Sequence, residues 1–278
     1  MIVLLATFEE TRAEAERRLR ALGADELELR VTGDDRVVLG ARFADDSRAS
    51  RVVAQLRDEG YFATDRPEGG GHLSAWRRHN APIDVAGRAV VCFPWAEFDR
   101  PPGTPIIEID PARGFGTGSH PSTALLLGEL GARLRGGESV LDVGCGSGVL
   151  ALCAATLGAA SVTAIDNDPR ALAATRANAR HNRIGESLEV SEAPVGSLSG
   201  RFDVVLANIA AVTLIELVGA IAPRLAPDGW LGLSGLSPAQ LSLVERAYRP
   251  LVSVAHPTLD EWAATVLSSP PETTPSSR

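Results

Sequence analysis

The sequence predicts an α/β protein: a doubly wound, mainly parallel sheet preceded by a small α+β domain. Three observations carry this. From residue 120 onward, short apolar strands alternate with amphipathic helices. A glycine-rich turn, Gly144-Cys145-Gly146-Ser147-Gly148, separates one such strand from the next helix. Residues 1–66 compress the order β-α-β-β-α-β into one short stretch. A length of 278 residues leaves room for roughly two domains.

Residues 2–8 (IVLLATF) read as a strand. Over 9–22, Ala13, Leu19 and Leu22 recur among charges, which predicts an amphipathic helix stopped by Gly23. Residues 27–32 and 36–43 flank Gly33-Asp34-Asp35 and read as a hairpin. Asp45, Asp46 and Ser47 suit the cap of a helix near 48–59, closed by Gly60, and 61–64 reads as a last strand. This order suggests a ferredoxin-like unit over 1–66. Residues 67–105 read as a flexible linker, because Gly69, Gly70 and Gly71 are consecutive. Within it, a short helix is expected at 72–80, a strand pair or extended arm across 85–92, and a turn with exposed aromatics at Phe93-Pro94-Trp95. The strand 106–109 opens the larger domain, 106–267. Its helices are expected at 121–134, 148–157, 169–181, 211–225 and 238–247. Its strands are expected at 139–143, 161–165, 188–190, 202–207 and 230–234, with a final strand near 251–255. Residues 268–278 (SSPPETTPSSR) read as a disordered tail.

Composition narrows the function classes. The chain is 45% hydrophobic and 22% charged, as folded globular proteins are. Its net charge is −8, and 1–66, 67–110 and 111–278 carry −3, −2 and −3. No basic arm or stripe is available to grip nucleic-acid phosphates, and a basic partner fits better. All 27 Lys+Arg positions are arginine, which Arg-favouring codons explain. Three cysteines and five scattered histidines form neither a disulfide framework nor a zinc pattern, so no metal is expected. Residues 1–8 lack a basic lead and are too short for a signal peptide, and no run of ~18 apolar residues exists. The expected location is the cytoplasm.

The chemistry concentrates in four motifs. In Asp142-Val143-Gly144-Cys145-Gly146-Ser147-Gly148, glycines let the backbone approach a ligand at a helix N-terminus. The spacing is D-x-G-x-G-x-G, not the pyrophosphate fingerprint G-x-G-x-x-G. Asp142 would repel a pyrophosphate and suits a ligand with a positive centre, such as S-adenosylmethionine, so a nicotinamide oxidoreductase is disfavoured. Asp166, at the end of the next strand, is placed to accept the ribose hydroxyls of an adenosine ligand. Asp168-Pro169 reads as the cap and first position of the following helix. Asn208 ends a parallel strand, over the crevice or as a helix cap. Upstream, Gly114 to Thr123 interleaves glycines with hydroxyls, with Phe115, Thr117, Gly118 and Thr123 as ligand-facing candidates. His120 is either a base or a cap. Cys145 has no triad partners and is not read as a nucleophile.

Together these motifs resemble the bacterial ribosomal protein L11 methyltransferases (PrmA), from the N-terminal domain to about residue 267. The family reads F-G-T-G-T-H-P-T-T over residues 115–123. The match holds again at Asp142 to Gly148, at Asp166-Asn167-Asp168-Pro169, at Asn208-Ile209 and at Leu233-Ser234-Gly235. Trp76-Arg77-Arg78, Cys92-Phe93-Pro94-Trp95 and Glu261-Trp262 are also similar. The resemblance implies the class I methyltransferase fold and S-adenosylmethionine as cofactor, contacted by Thr123, Gly144, Asp166 and Asn208. It implies methylation of lysine ε-amino groups and an α-amino group of the ribosomal protein, with the small domain recognising that protein and swinging on the linker. The chain departs from the family in three places. D-P-G-x-A-F reads Asp110-Pro111-Ala112-Arg113-Gly114-Phe115, Asn-Ile-Leu-Ala reads Asn208-Ile209-Ala210-Ala211, and Gly69 to Gly71 is an insert. These lie near the acceptor side, so a related enzyme with another protein or small-molecule acceptor is the alternative. The expected enzyme is a monomer without direct nucleic-acid contact, and Asn208 is its candidate catalytic residue, aiming the amine. No general base is nominated.

Overall fold

The structure is a computed structural model that describes residues 1–31, 36–59, 61–66, 81–96, 98–110 and 120–270. The chain divides into two compact units, Met1–Ala81 with Phe93–Asp99, and Pro82–Cys92 with Arg100–Arg278. The expected turn at 33–35 and helix at 72–80 lie outside the described residues.

In the first unit, β1 (Ile2–Phe8), β2 (Glu26–Val31), β3 (Arg36–Arg42) and β4 (Phe62–Arg66) form one antiparallel sheet in the order β2-β3-β1-β4. Helices α1 (Arg12–Ala21) and α2 (Asp46–Asp58) supply Leu19, Val52 and Leu56 to a core with Val3, Leu5 and Leu39. The most apolar strand, β1, takes one of the two interior positions, where both its edges are paired by β3 and β4. Asp45 caps α2 by accepting from Arg48 N at 2.6 Å. The ferredoxin-like order is therefore realised, although residues 9–11 form a 3-10 turn and the α-helix starts at Arg12. Phe93 and Trp95 were expected to be exposed. They are buried, with rings stacked at 5.9 Å between centroids, since two large apolar rings gain more out of water than in it.

In the second unit, β5 (Ile83–Val85), β6 (Ala89–Cys92) and β7 (Ile106–Glu108) make a three-stranded sheet. The main sheet contains β8 (Ser139–Val143), β9 (Ser161–Ile165), β10 (Leu188–Ser191), β11 (Phe202–Asn208), β12 (Leu225–Leu236), β13 (Val252–Ala255), β14 (Thr258–Leu259) and β15 (Trp262–Ser268). Its order is β10-β9-β8-β11-β12-β15-β13, with β14 added to β15. The five strands from β10 to β12 are parallel. Strand order reverses between β8 and β11, which opens a crevice at their carboxyl ends.

Both faces of this sheet are covered, so its strands read as near-continuous apolar runs. Val140 and Leu206 join one core with Leu126, Leu130 and Leu150, from α3 (Pro121–Arg133) and α4 (Val149–Thr156). Leu141 and Val205 join another core with Leu214 and Val244, from α6 (Ala211–Glu216) and α8 (Leu241–Ala247). Helix α5 (Pro169–His181) completes the first layer.

Three expectations need correction. The single helix expected at 211–225 is α6, then α7 (Val218–Ile221), then a 3-10 turn over Ala222–Arg224. Gly219 weakens the helix and Pro223 has no N–H to donate. The strand at 252–255 is not the last: β15 follows it and lies between β12 and β13. Ser268 belongs to β15, so the expected tail loses its first residue to the sheet. Its last eight residues, 271–278, lie outside the described residues.

Candidate functional site

The site is built where β8 gives way to α4. Gly144, Gly146 and Gly148 take φ values of +74°, +56° and +82° in that turn. A Cβ on Gly144 would lie 2.6 Å from Ile209 Cγ2, so both backbone and close approach demand glycine. The turn is braced by α5. Thr175 Oγ1 donates to Gly146 O at 3.0 Å, and Asn178 Nδ2 donates to Ser147 O at 2.9 Å. The same helix face holds β7 and the residues after it. Asn178 Oδ1 accepts from Asp110 N at 3.0 Å, and the Asn182 amide bonds both Glu108 N and Glu108 O, at 2.8 and 2.7 Å. His181 Nε2 and Arg100 each meet one carboxylate oxygen of the buried Glu108, at 2.7 and 2.9 Å.

A cavity of about 300 Å³ opens over the carboxyl ends of β8, β9 and β11. It brings together six residues singled out in the sequence: Thr123, Asp142, Gly144, Gly146, Asp166 and Asn208. Phe115, Thr117 and Gly118 lie outside the described residues. Asp142 is 1% exposed. Its Oδ2 accepts from Ala151 N at 3.2 Å, while among the described residues Oδ1 has no hydrogen-bond partner. Burial, with the Asp166 charge nearby as a smaller cause, pushes the Asp142 carboxyl up to about 7. Asp166 accepts from Gly146 N at 3.0 Å and Asp168 N at 2.9 Å, which fixes its carboxylate at the rim. Thr123, buried in the first turn of α3, accepts from Asn208 Nδ2 at 2.9 Å.

The structure also decides between the alternative roles. The residue before α6 is Ala210, without a side-chain cap, so Asn208 is not a helix cap. Asp168 caps α5 by accepting from Arg170 N at 2.9 Å, with Pro169 in the first position. His120 caps α3 through Ser122, stands edge-on to Trp262 at 4.5 Å, and does not line the cavity. The Cys145 thiol is buried against Thr175 Oγ1 at 3.3 Å, and burial pushes it up to about 12. Burial of this kind holds the group as the less reactive thiol.

Val149 and Leu150, just past the glycine motif, carry no signal in the sequence and reach the cavity by the geometry of the crossing elements. Thr175, Asn178 and Asn182, spaced i, i+3 and i+7 on a helix with an apolar buried face, are a legible hint of a buried polar job. A second cavity of about 470 Å³ adjoins the first, sharing Gly144, Asp166, Asn167 and Ile209 and reaching to Glu192 and Pro194.

Residues 20–269 match the ribosomal protein L11 methyltransferase (PrmA) family. The chain belongs to that family. The ribosomal protein L11 methyltransferase of Methylococcus capsulatus is 40% identical over 213 residues, covering 77% of this chain and 68% of that protein. The Hahella chejuensis protein of the same name is 36% identical over 265 residues, covering 89% and 90%. The crystal structure of a ribosomal protein L11 methylase from Lactobacillus delbrueckii subsp. bulgaricus superposes with a TM-score of 0.62 at 28% identity, covering 68% of this chain and 98% of that one. The family match spans every residue that lines the two cavities, so it joins the observed crevice to a methyltransferase fold. Among the described residues, no helix is long and apolar enough to cross a membrane.

Proposed function

We propose that this chain is an S-adenosylmethionine-dependent N-methyltransferase of ribosomal protein L11, acting on lysine ε-amino groups and on an α-amino group. The observation that carries this reading is the buried Oδ1 of Asp142, without a hydrogen-bond partner among the described residues, at a cavity walled by Gly144 and Gly146. An orphan carboxylate oxygen in a dry wall costs free energy until a cation meets it, and a glycine cradle admits a ligand without side-chain clash. When bound there, S-adenosylmethionine supplies an electrophilic methyl group on a sulfonium and departs as a neutral thioether.

The chain's own residues do the rest. Asp142 holds positive charge in the first cavity. Asp166 stands between the two cavities, placed to accept ribose hydroxyls, with the adjoining space left for the base. Lysine in water has a pKa of ~10.4, and only its neutral form attacks. Apolar walls from Val149, Leu150 and Ile209 strip water from the incoming amine and favour that neutral form. Asn208, tied to Thr123, orients the lone pair through its amide oxygen, and positioning is the main contribution to rate. No acid is needed for a neutral leaving group.

The small unit is proposed to recognise the ribosomal protein, with 67–105 as the linker. The chain's acidity suits a free, basic protein better than ribosomal RNA. Ala210, exposed at the cavity where the family carries leucine, favours a second reading: the same chemistry on another acceptor. Incubation with methyl-labelled cofactor and purified L11, beside the other large-subunit proteins, tests both. Label in L11 lysines is expected. Label only in another protein supports the second reading, and no label in any of these proteins refutes the assignment to a ribosomal-protein acceptor. Asn208→Ala is expected to lower turnover ~100-fold at saturating cofactor, and full turnover would remove its aiming role.

A further inference from the structure

Two residues that line neither cavity grip the site from below. Ser234 pairs with Asn208 across the parallel β11–β12 ladder, so it sits directly beside the proposed aiming residue. On its other edge β12 slips register against β15: Leu233 faces Thr265 and Leu236 faces Ala263, leaving Ser234 and Gly235 to share one partner position. This is a β-bulge, and bulges re-aim side chains where a ladder would otherwise hold them flat. The fully buried Ser234 hydroxyl leaves the ladder and donates to Ser122 O at 2.9 Å, in the first turn of α3, with Ala263 O at 3.3 Å. The next residue in that turn is Thr123, which accepts from Asn208. Gly235 has φ of +85°, and a Cβ there would lie 2.5 Å from Ile209 O and 3.0 Å from Ile209 C. The backbone just after Asn208 thus rests on the bare Cα of Gly235.

We infer that the Ser234–Gly235 bulge is the positioning device of the active site, fixing Thr123 through Ser122 and Asn208 through Ile209. Neither residue is catalytic, since neither reaches the cavity. The catalytic part of this inference rests on the proposed role of Asn208. For Gly235→Ala, Ile209 O must retreat from 2.5 Å to the 3.4 Å of ordinary contact, about 0.9 Å. Displacement of about that size in a positioning group costs ~100-fold in rate. Ser234→Ala removes only the hydroxyl and frees the first turn of α3, so a loss nearer ~10-fold is expected.

The test reads placement and rate separately. The side-chain amide of Asn208 is followed by nuclear magnetic resonance in the full chain, and turnover is measured at saturating cofactor. Both variants are expected to shift that amide resonance and lower kcat, and Ser234→Thr is expected to restore both. In an Asn208→Ala background, the further loss from Gly235→Ala should vanish, because the residue being positioned is gone. If folded Ser234→Ala and Gly235→Ala proteins leave the Asn208 amide unmoved, the inference is wrong. It is equally wrong if Gly235→Ala costs the same rate with Asn208 removed. An amide that moves without any change in turnover would keep the positioning device and overturn instead the role given to Asn208.

Discussion

Replacing Asp142 by asparagine should make the empty protein more stable and the enzyme worse. The carboxyl is 1% exposed, and burial raises it from its usual 3.8 to about 7. An acid raised on folding favours the protonated native state, so stability falls as pH rises from ~4 towards ~7 and stays low above that. At 1.36 kcal/mol per pH unit, the gap amounts to ~4 kcal/mol at pH 8. Asparagine carries no such penalty. It keeps an acceptor for Ala151 N but leaves an amide donor facing the cavity, at a cost of about 1–3 kcal/mol. The net gain at pH 8 is then ~1–3 kcal/mol, or roughly 2–12 °C in melting temperature. The advantage of the variant should grow by ~3 kcal/mol between pH 5 and pH 8, and thermal melts of both ligand-free proteins across that range measure it. In parallel, calorimetric titration with S-adenosylmethionine should show weaker binding by the variant. Wild-type affinity should rise with pH through ~7 as the carboxylate forms, and the variant should lose that rise. A ligand-free variant that is less stable at pH 8, with cofactor affinity unchanged, would refute the reasoning at both ends.

Other outcomes follow from the same geometry. Asp166→Ala removes an acceptor from Gly146 N and from the ribose hydroxyls it is proposed to hold, so cofactor Kd should rise ~10–100-fold by calorimetry. Thr175→Val strands Gly146 O and the Cys145 thiol without touching any ligand. It should cost about 1–3 kcal/mol in denaturant unfolding and weaken cofactor binding. Cys145, buried and pushed up to about 12, should resist a thiol-specific reagent at pH 8 until the protein is unfolded. Rapid labelling of Cys145 in the folded protein would show that the glycine turn opens.

Most of the fold was legible because the central parallel strands β8, β9 and β11 are apolar runs that each lead into a helix. Runs such as 139–143 and 161–165 can hardly be anything else. β15 escaped for the opposite reason. An antiparallel strand needs no crossover helix, so the alternation that located its neighbours gave no cue, although WAATVLS is apolar between Asp260-Glu261 and two prolines. In the site, Asp142, Asp166 and Asn208 were legible because each is a polar residue at the carboxyl end of an apolar strand. Ser234 and Gly235 were visible only as a family word. The role inferred for them depends on a register slip between two strands distant in sequence, which no local pattern encodes.

The polar face of α5 has a consequence for anyone who would re-engineer this enzyme. Asn178 bonds the glycine turn with its amide hydrogens and residue 110 with its oxygen, and Asn182 secures Glu108 one turn later. Loop and helix are therefore not separate modules. A graft that imports residues 106–110 from a relative, hoping to change acceptor preference, inherits a docking pattern written in 175–182. The transplantable piece is discontinuous: residues 106–110, 144–148 and 175–182 must travel together, or the donor loop arrives without the surface that shapes it.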